Sequence, residues 1–275
     1  MKSSYIFKQI TILAAKLGRA PLAVITGGSS GMGLEYARLL AGCGADLLLV
    51  SNQPEQLIQV SSDLVEEFGV NVHSLFLDLS LAGSADSLMD WLDAQGLEPD
   101  IFISNAGMFF FHELDRETLD GKASAMMNLH MNFPARLITL MGLRMKERGI
   151  GYILIVSSMT ARIPMPGITV YSATKAFLRS FGCSFHYEMK EYGIGVTTVC
   201  PAAVATPLFR MKPSLMKLGT ATGFIRPPQW LVRRALKGMF RRRMLLRPAP
   251  MNFWLPALIA ILPHRLVSKI WRRIR

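Results

Sequence analysis

Leu22-Ala23-Val24-Ile25-Thr26-Gly27-Gly28-Ser29-Ser30-Gly31-Met32-Gly33 is the stretch on which the reading of this chain turns. A short apolar run, of a length that suits a strand buried on both faces, ends in a turn rich in glycine. Residues 31–42 then carry helical spacing. Such a strand–turn–helix aims unpaired N–H groups and the positive end of the helix dipole out of the turn, where a phosphate can sit. Glycine allows the tight turn and a close approach to the backbone. A glycine-rich turn alone is also just a tight connection. The flanking strand and helix make this one a candidate binding site.

Outward from that turn, strands alternate with helices. Apolar runs at 46–51, 70–77, 100–104, 152–157 and 194–200 read as strands. Residues 54–68, 82–95, 117–148 (bent near Pro134), 170–192 and 228–240 read as helices, and 242–247 as a last strand. Apolar strands separated by helices predict an α/β fold, a doubly wound parallel sheet covered on both faces. No internal repeat or linker divides the chain.

Composition excludes several classes. Apolar residues make up 51% of the 275 and charged residues 18%, which rules out intrinsic disorder. No run approaches the roughly 20 apolar residues of a membrane-spanning helix, which argues against an integral membrane protein. Three cysteines, Cys43, Cys183 and Cys200, make no disulfide framework and suit a reducing, cytoplasmic setting. The five histidines show no metal-ligand spacing, so no metal is assigned.

A second motif is Tyr171-Ser172-Ala173-Thr174-Lys175. Tyrosine and lysine four apart share one face of a helix. A phenol titrates near 10 and is a poor base at neutral pH, but a nearby ammonium favours the phenolate. Roughly 3–4 kcal/mol of such stabilisation would make Tyr171 a usable proton donor and acceptor. The pair alone is common on helices; its weight comes from standing in one chain with the glycine turn.

With both motifs in place, the chain resembles the classical short-chain dehydrogenase/reductase family from about residue 22 to 248. Thr26-Gly-x3-Gly31-x-Gly33 matches the family's cofactor turn, Asp78 its adenine-contacting acid, and Asn105-Ala106-Gly107 its Asn-Ala-Gly after the fourth strand. Asn132 stands where the family keeps an asparagine in its bent helix. Ser158 precedes Tyr171 by the usual offset, and Pro201–Thr206 matches the segment beside the nicotinamide. The resemblance implies a Rossmann fold and hydride transfer between a nicotinamide cofactor and a carbonyl or alcohol carbon. It assigns catalysis to Asn132, Ser158, Tyr171 and Lys175: Ser158 orients the substrate oxygen, Tyr171 exchanges its proton, Lys175 holds the ribose and tunes Tyr171, and Asn132 links Lys175 to water. Cofactor contacts fall to Thr26, Gly27, Ser29, Ser30, Gly31, Met32, Gly33, Ser51, Asn52, Asp78, Leu79, Asn105, Ala106, Gly107, Pro201, Val204 and Thr206, with Tyr171 and Lys175.

Two departures bear on specificity. Ala202 replaces the family's glycine, which leaves less backbone freedom before Thr206. Ser51-Asn52-Gln53 ends the second strand without the acid that NAD-preferring members carry, which leans to NADP with NAD as the other option. The arginine of many NADP-dependent relatives is absent too, Asn52 standing in its place. Met108-Phe109-Phe110-Phe111 reads as an apolar cleft wall or a subunit contact, and Ile163–Pro166 would line the same cleft under a variable lid at 207–226. The expected substrate is therefore a small apolar carbonyl or alcohol, such as a fatty acyl, steroid, retinoid or isoprenoid-like compound. The other class of function is a catalytically quiet, nucleotide-binding scaffold at a membrane.

The ends read differently from the body. The chain divides into an amphipathic extension (1–20), the Rossmann domain (21–249) and an apolar, basic extension (250–275). On residues 1–20, Ile6, Ile10, Leu13 and Leu17 share one face; packing on the body and membrane contact stand level, with targeting behind. From Tyr192 to Arg275 there are 16 Lys or Arg and no Asp or Glu, within a net charge of +12. That one-sided field suits an anionic surface. Phe253, Trp254, Leu255, Leu258 and Ile261 could enter a lipid interface, with Arg241, Arg242, Arg243, Arg272, Arg273 and Arg275 at its head groups, or the tail could pack on the protein. Nucleic acid ranks last, since aliphatics interleave the charges and no recognition motif appears. The tail resembles that of a bacterial branch of lipid-type, DltE-like reductases. Family habit implies a homodimer or homotetramer built on the long helices.

Overall fold

The computed structural model describes residues 4–163, 166–205 and 225–249, together with positions 220, 254–256, 258 and 261. Seven parallel strands form one sheet in the order β3-β2-β1-β4-β5-β6-β7: β1 Leu22–Thr26, β2 Asp46–Ser51, β3 Val72–Phe76, β4 Pro99–Ser104, β5 Gly151–Val156, β6 Ile194–Val199 and β7 Leu245–Leu246. The order reverses between β1 and β4. At such a switch point the helices leave toward opposite faces and open a crevice above the strand ends.

Each face has its own core. Side chains alternate along a strand, so Ala23 and Ile25 of β1 point one way and Leu22 and Val24 the other. The first face is covered by α2 (Gly31–Ala41), α3 (Pro54–Phe68) and α7 (Pro228–Phe240). The second is covered by α4 (Ser84–Ala94), α6 (Thr169–Lys190) and the long helix α5, which spans 116–148. α1 (Ser4–Leu17) inserts Ile6, Ile10 and Leu13 into the first core beside Leu231 and Val232 of α7. Of the two level readings for this segment, packing on the body is therefore the one seen. Behind it, the buried Asp100 carboxylate accepts from Arg19 at 2.7 Å, Arg148 at 2.9 Å and the Leu22 amide at 2.9 Å, which pins the chain at the entry to β1.

Two elements differ from expectation. The last strand is two residues rather than six, and Arg242 at its expected start takes φ +54, outside the extended region. The irregularity of α5 precedes Pro134: two π-turns, Leu119–Ala123 and Asn128–Asn132, interrupt it. Pro134 lies in the first turn of Phe133–Arg148, where its missing N–H is tolerated.

Candidate active site

The crevice at the switch point is a cleft of about 560 Å³. One wall is the glycine turn. Gly27 and Gly31 take φ of +65 and +54, in the left-handed region that glycine enters freely. Thr26 and Asn105 lock the turn from behind: Thr26 Oγ1 accepts from the amides of Asn105 and Ala106, at 3.0 and 3.1 Å. Asn105 Nδ2 donates to the Thr26 and Gly27 carbonyls. Thr26 is fully buried in this role, outside the cleft lining, as is Gly33, whose place lies under Gly27. Ser30 begins α2 in extended conformation without capping it, so no side chain takes up the N–H groups of the first turn. The cleft residues fit a pyrophosphate there.

Next along this wall, the Ser29 and Ser51 hydroxyls share a hydrogen bond of 2.8 Å, and Ser51 Oγ accepts from the Gln53 amide. Met32, Asn52, Asp78 and Leu79 continue the lining, with one Asp78 oxygen accepting from both the amide and the hydroxyl of Ser80. Ala106, Gly107, Pro201, Ala202 and Val204 line the opposite end. Thr206, residues 207–219 and 221–224 of the lid, Pro164 and Met165 lie outside the described residues.

The floor holds Ser158, Tyr171 and Lys175. Tyr171 and Lys175 are one turn apart on α6 and 5% and 4% exposed. Ser158 Oγ accepts from the amide and hydroxyl of Thr160, and the Tyr171 hydroxyl bonds Ser158. Lys175 Nζ donates to the Val156 carbonyl at 3.1 Å and lies 5.7 Å from the centre of the Tyr171 ring.

Burial reverses the expected tuning of the tyrosine. It raises Tyr171 from 10.0 to about 12, and the bond from Ser158 only partly offsets the rise. Lys175 is itself lowered from 10.5 to about 8 by loss of water, against a smaller opposing influence of Cys200.

Asn132 is also not where its sequence position implied. It is exposed, absent from the lining, and donates to Asn128 Oδ1 at 2.8 Å. From the same π-turn Leu129 lines the cleft, and His130, 1% exposed, lies behind the lining with its ring 5.8 Å from that of Tyr171. Each π-turn inserts a residue and rotates the helix face, so the side chains turned toward Tyr171 are not those a regular helix would present. A histidine on an otherwise apolar face was the available signal. Above Tyr171, Phe109 meets its ring edge-on at 5.0 Å, and Met108, Phe110, Met126 and Ile168 complete an apolar wall.

Comparison with known proteins agrees with this geometry. The short chain dehydrogenase family model matches residues 21–215. The very-long-chain 3-oxoacyl-CoA reductase of Mus musculus is 36% identical over 204 residues, which cover 73% of this chain and 65% of the mouse protein, just under two thirds of its length. A short-chain dehydrogenase from Sphingobium yanoikuyae, solved in complex with NADPH, is 27% identical with a TM-score of 0.74, covering 88% of this chain and 96% of that one. The bulky-bulky ketone specific alcohol dehydrogenase from Comamonas testosteroni is 25% identical with a TM-score of 0.70, over 88% and 95%. The chain belongs to the short-chain dehydrogenase family.

Proposed function

We propose that this member of the short-chain dehydrogenase family is an NADPH-dependent reductase of apolar ketones, with fatty-acyl 3-oxo compounds as the leading substrate class. The observation that carries the reading is the buried Ser158–Tyr171–Lys175 group at the floor of the cleft that begins at the glycine turn. NADPH, when bound, supplies the hydride. The first turn of α2 holds the pyrophosphate, and Asp78 faces the adenine end. Ser51, Asn52 and Gln53 present no carboxylate against a 2′-phosphate, and the Sphingobium relative was solved with NADPH. Lys175 orients the ribose hydroxyls. Ser158 donates to the substrate carbonyl oxygen, and Tyr171, held as the neutral phenol, gives that oxygen its proton. Phe109 and Met108 offer the apolar wall, and the names of the mouse and Comamonas relatives support a bulky or long-chain ketone.

The test is a fluorescence titration with NADPH and NADH, followed by turnover of 3-oxoacyl-CoA and of bulky ketones. Tyr171→Phe should lower turnover by about 10²–10⁴-fold while NADPH binding persists. Unchanged turnover in that variant overturns the mechanism. Binding of neither nucleotide by folded protein leaves the quiet scaffold as the reading.

We further infer that this protein attaches peripherally to an anionic membrane. Arg233, Arg234 and Lys237 form the exposed face of α7, continued by Arg241, Arg242 and Arg243. α1 packs against α7 and leaves Phe7 and Ile12 each 41% exposed. Among the described residues no helix is long and apolar enough to cross a membrane. Cations beside exposed apolar side chains suit adsorption at head groups. Sedimentation with phosphatidylserine vesicles should be strong at low salt, and Arg233→Glu with Arg234→Glu should abolish it. No sedimentation of the unmodified chain ends this reading.

A further inference from the structure

We propose that His130 is a positioning residue, a neutral imidazole with its proton on Nδ1 that straps the Gly107–Met108 turn to the helix carrying Tyr171 and Lys175. The inference deepens the reductase reading and rests on it for the purpose of the strap. The tautomer follows from geometry alone.

The Met108 amide donates to His130 Nε2 at 3.0 Å. An N–H cannot donate to another N–H, so Nε2 carries a lone pair and the proton resides on Nδ1. Nδ1 lies 3.1 Å from Thr174 Oγ1, which receives that proton. The Thr174 hydroxyl in turn donates to the Tyr171 carbonyl at 2.9 Å. One directed chain thus runs from the cleft turn, through the imidazole, to the backbone of the residue that would protonate substrate. Gly107 makes room for it: a Cβ there would stand 3.0 Å from His130 Nε2 and 3.7 Å from Lys175 Nζ.

The surroundings hold the ring neutral. The titratable groups beside it are Lys175 and Tyr171. An imidazolium would set a second cation near the Lys175 ammonium and turn an N–H against the Met108 amide. Burial and Lys175 both push the histidine well below its ordinary 6.5. Both nitrogens are committed to fixed bonds, so the ring orients its neighbours and does not itself pass a proton.

Two measurements test this. In the protein labelled with ¹⁵N-histidine, long-range ¹H–¹⁵N spectra, assigned by loss of one signal set in His130→Gln, should show a neutral ring protonated on Nδ1 from pH 5 to pH 8. An Nε2–H tautomer, or an imidazolium at pH 6, overturns the proposal. Second, Gln offers an amide oxygen where Nε2 stands, whereas Phe keeps the ring shape and neither nitrogen. His130→Phe should weaken NADPH binding by about tenfold, as expected when a buried N–H loses its acceptor, and His130→Gln should recover most of that loss. Equal affinities in the two variants, with both shown folded by thermal melts, overturn it. If the unmodified chain binds no NADPH, the cofactor reading fails, and the spectra still decide the tautomer.

Discussion

From β1 to β2 the cleft wall is built of backbone. Gly27 and Gly31 turn at positive φ, α2 begins without a side-chain cap, and Ser29, Ser51, Asn52 and Asp78 are among the polar side chains that line it. From β4 to β6 it is built of side chains that are costly to bury, Tyr171 and Lys175, with His130 behind them, each 5% exposed or less. On the proposed reading, the first wall recognises a ligand by leaving atoms out, and the second does chemistry with groups that burial drives away from their solution behaviour. A substitution should therefore damage the first wall by adding volume, and should relieve the second by removing a polar group.

The largest effect is expected on the glycine wall. A Cβ on Gly33 would stand 1.9 Å from the Gly27 carbonyl oxygen and 2.9 Å from Asn105 Nδ2, and helix backbone cannot swing aside as a flexible side chain can. Gly33→Ala should cost about 1–3 kcal/mol of stability or more. It should also abolish NADPH binding, because the displaced atoms are those of the turn. Gly69→Ala is the matched control. Gly69 has φ +66 but nothing within 4 Å of a new Cβ, so strain of about 1–2 kcal/mol is expected without loss of nucleotide. Calorimetry of both variants with and without NADPH separates the cases. If Gly33→Ala binds normally, the wall is not read by its backbone.

Lys175 tests the opposite wall. Its folded pKa, about 8, lies below its ordinary 10.5. Between those values the unfolded chain binds more protons than the folded one, so stability rises with pH across that window. Below pH 8 the whole cost is present, about 3 kcal/mol. Lys175→Met should then be more stable than the parent at pH 7 by up to that amount, lose the advantage as pH climbs to 10.5, and turn over no substrate. Denaturant unfolding at pH 7 and pH 10 measures it. A variant less stable at pH 7 would mean that the bond to the Val156 carbonyl outweighs desolvation.

The two walls also differed in how far the sequence disclosed them. β1, β2 and α3 have the expected bounds, because an unbroken apolar strand and a helix opening on proline and closing on glycine leave little choice. Tyr171 and Lys175 share the cleft floor because four residues make about one turn of a regular helix. α5 is not a regular helix. Two π-turns shift its face, and nothing in the local residue pattern announces a π-turn. Tyr171 failed in another way. Lys175 beside it argued for a lowered pKa, but the loss of water around the phenol is a property of packing, and it dominates.

Asn132 supplies the smallest and sharpest expectation. Its amide donates to the neighbouring Asn128 from an exposed position, and helices accept alanine well. Asn132→Ala should change stability by about 0.5 kcal/mol or less and turnover by less than about twofold. The value of the experiment lies in its pairing with His130. Both residues belong to the π-turn Asn128–Asn132, so a disturbance of the turn itself would show in both variants. A silent Asn132→Ala beside a damaging His130→Phe places the sensitivity in the imidazole and its two bonds. A tenfold loss in Asn132→Ala would instead mean that α5 rotates when nucleotide binds. The asparagine would then return to the site, and the second wall would be assembled by its ligand.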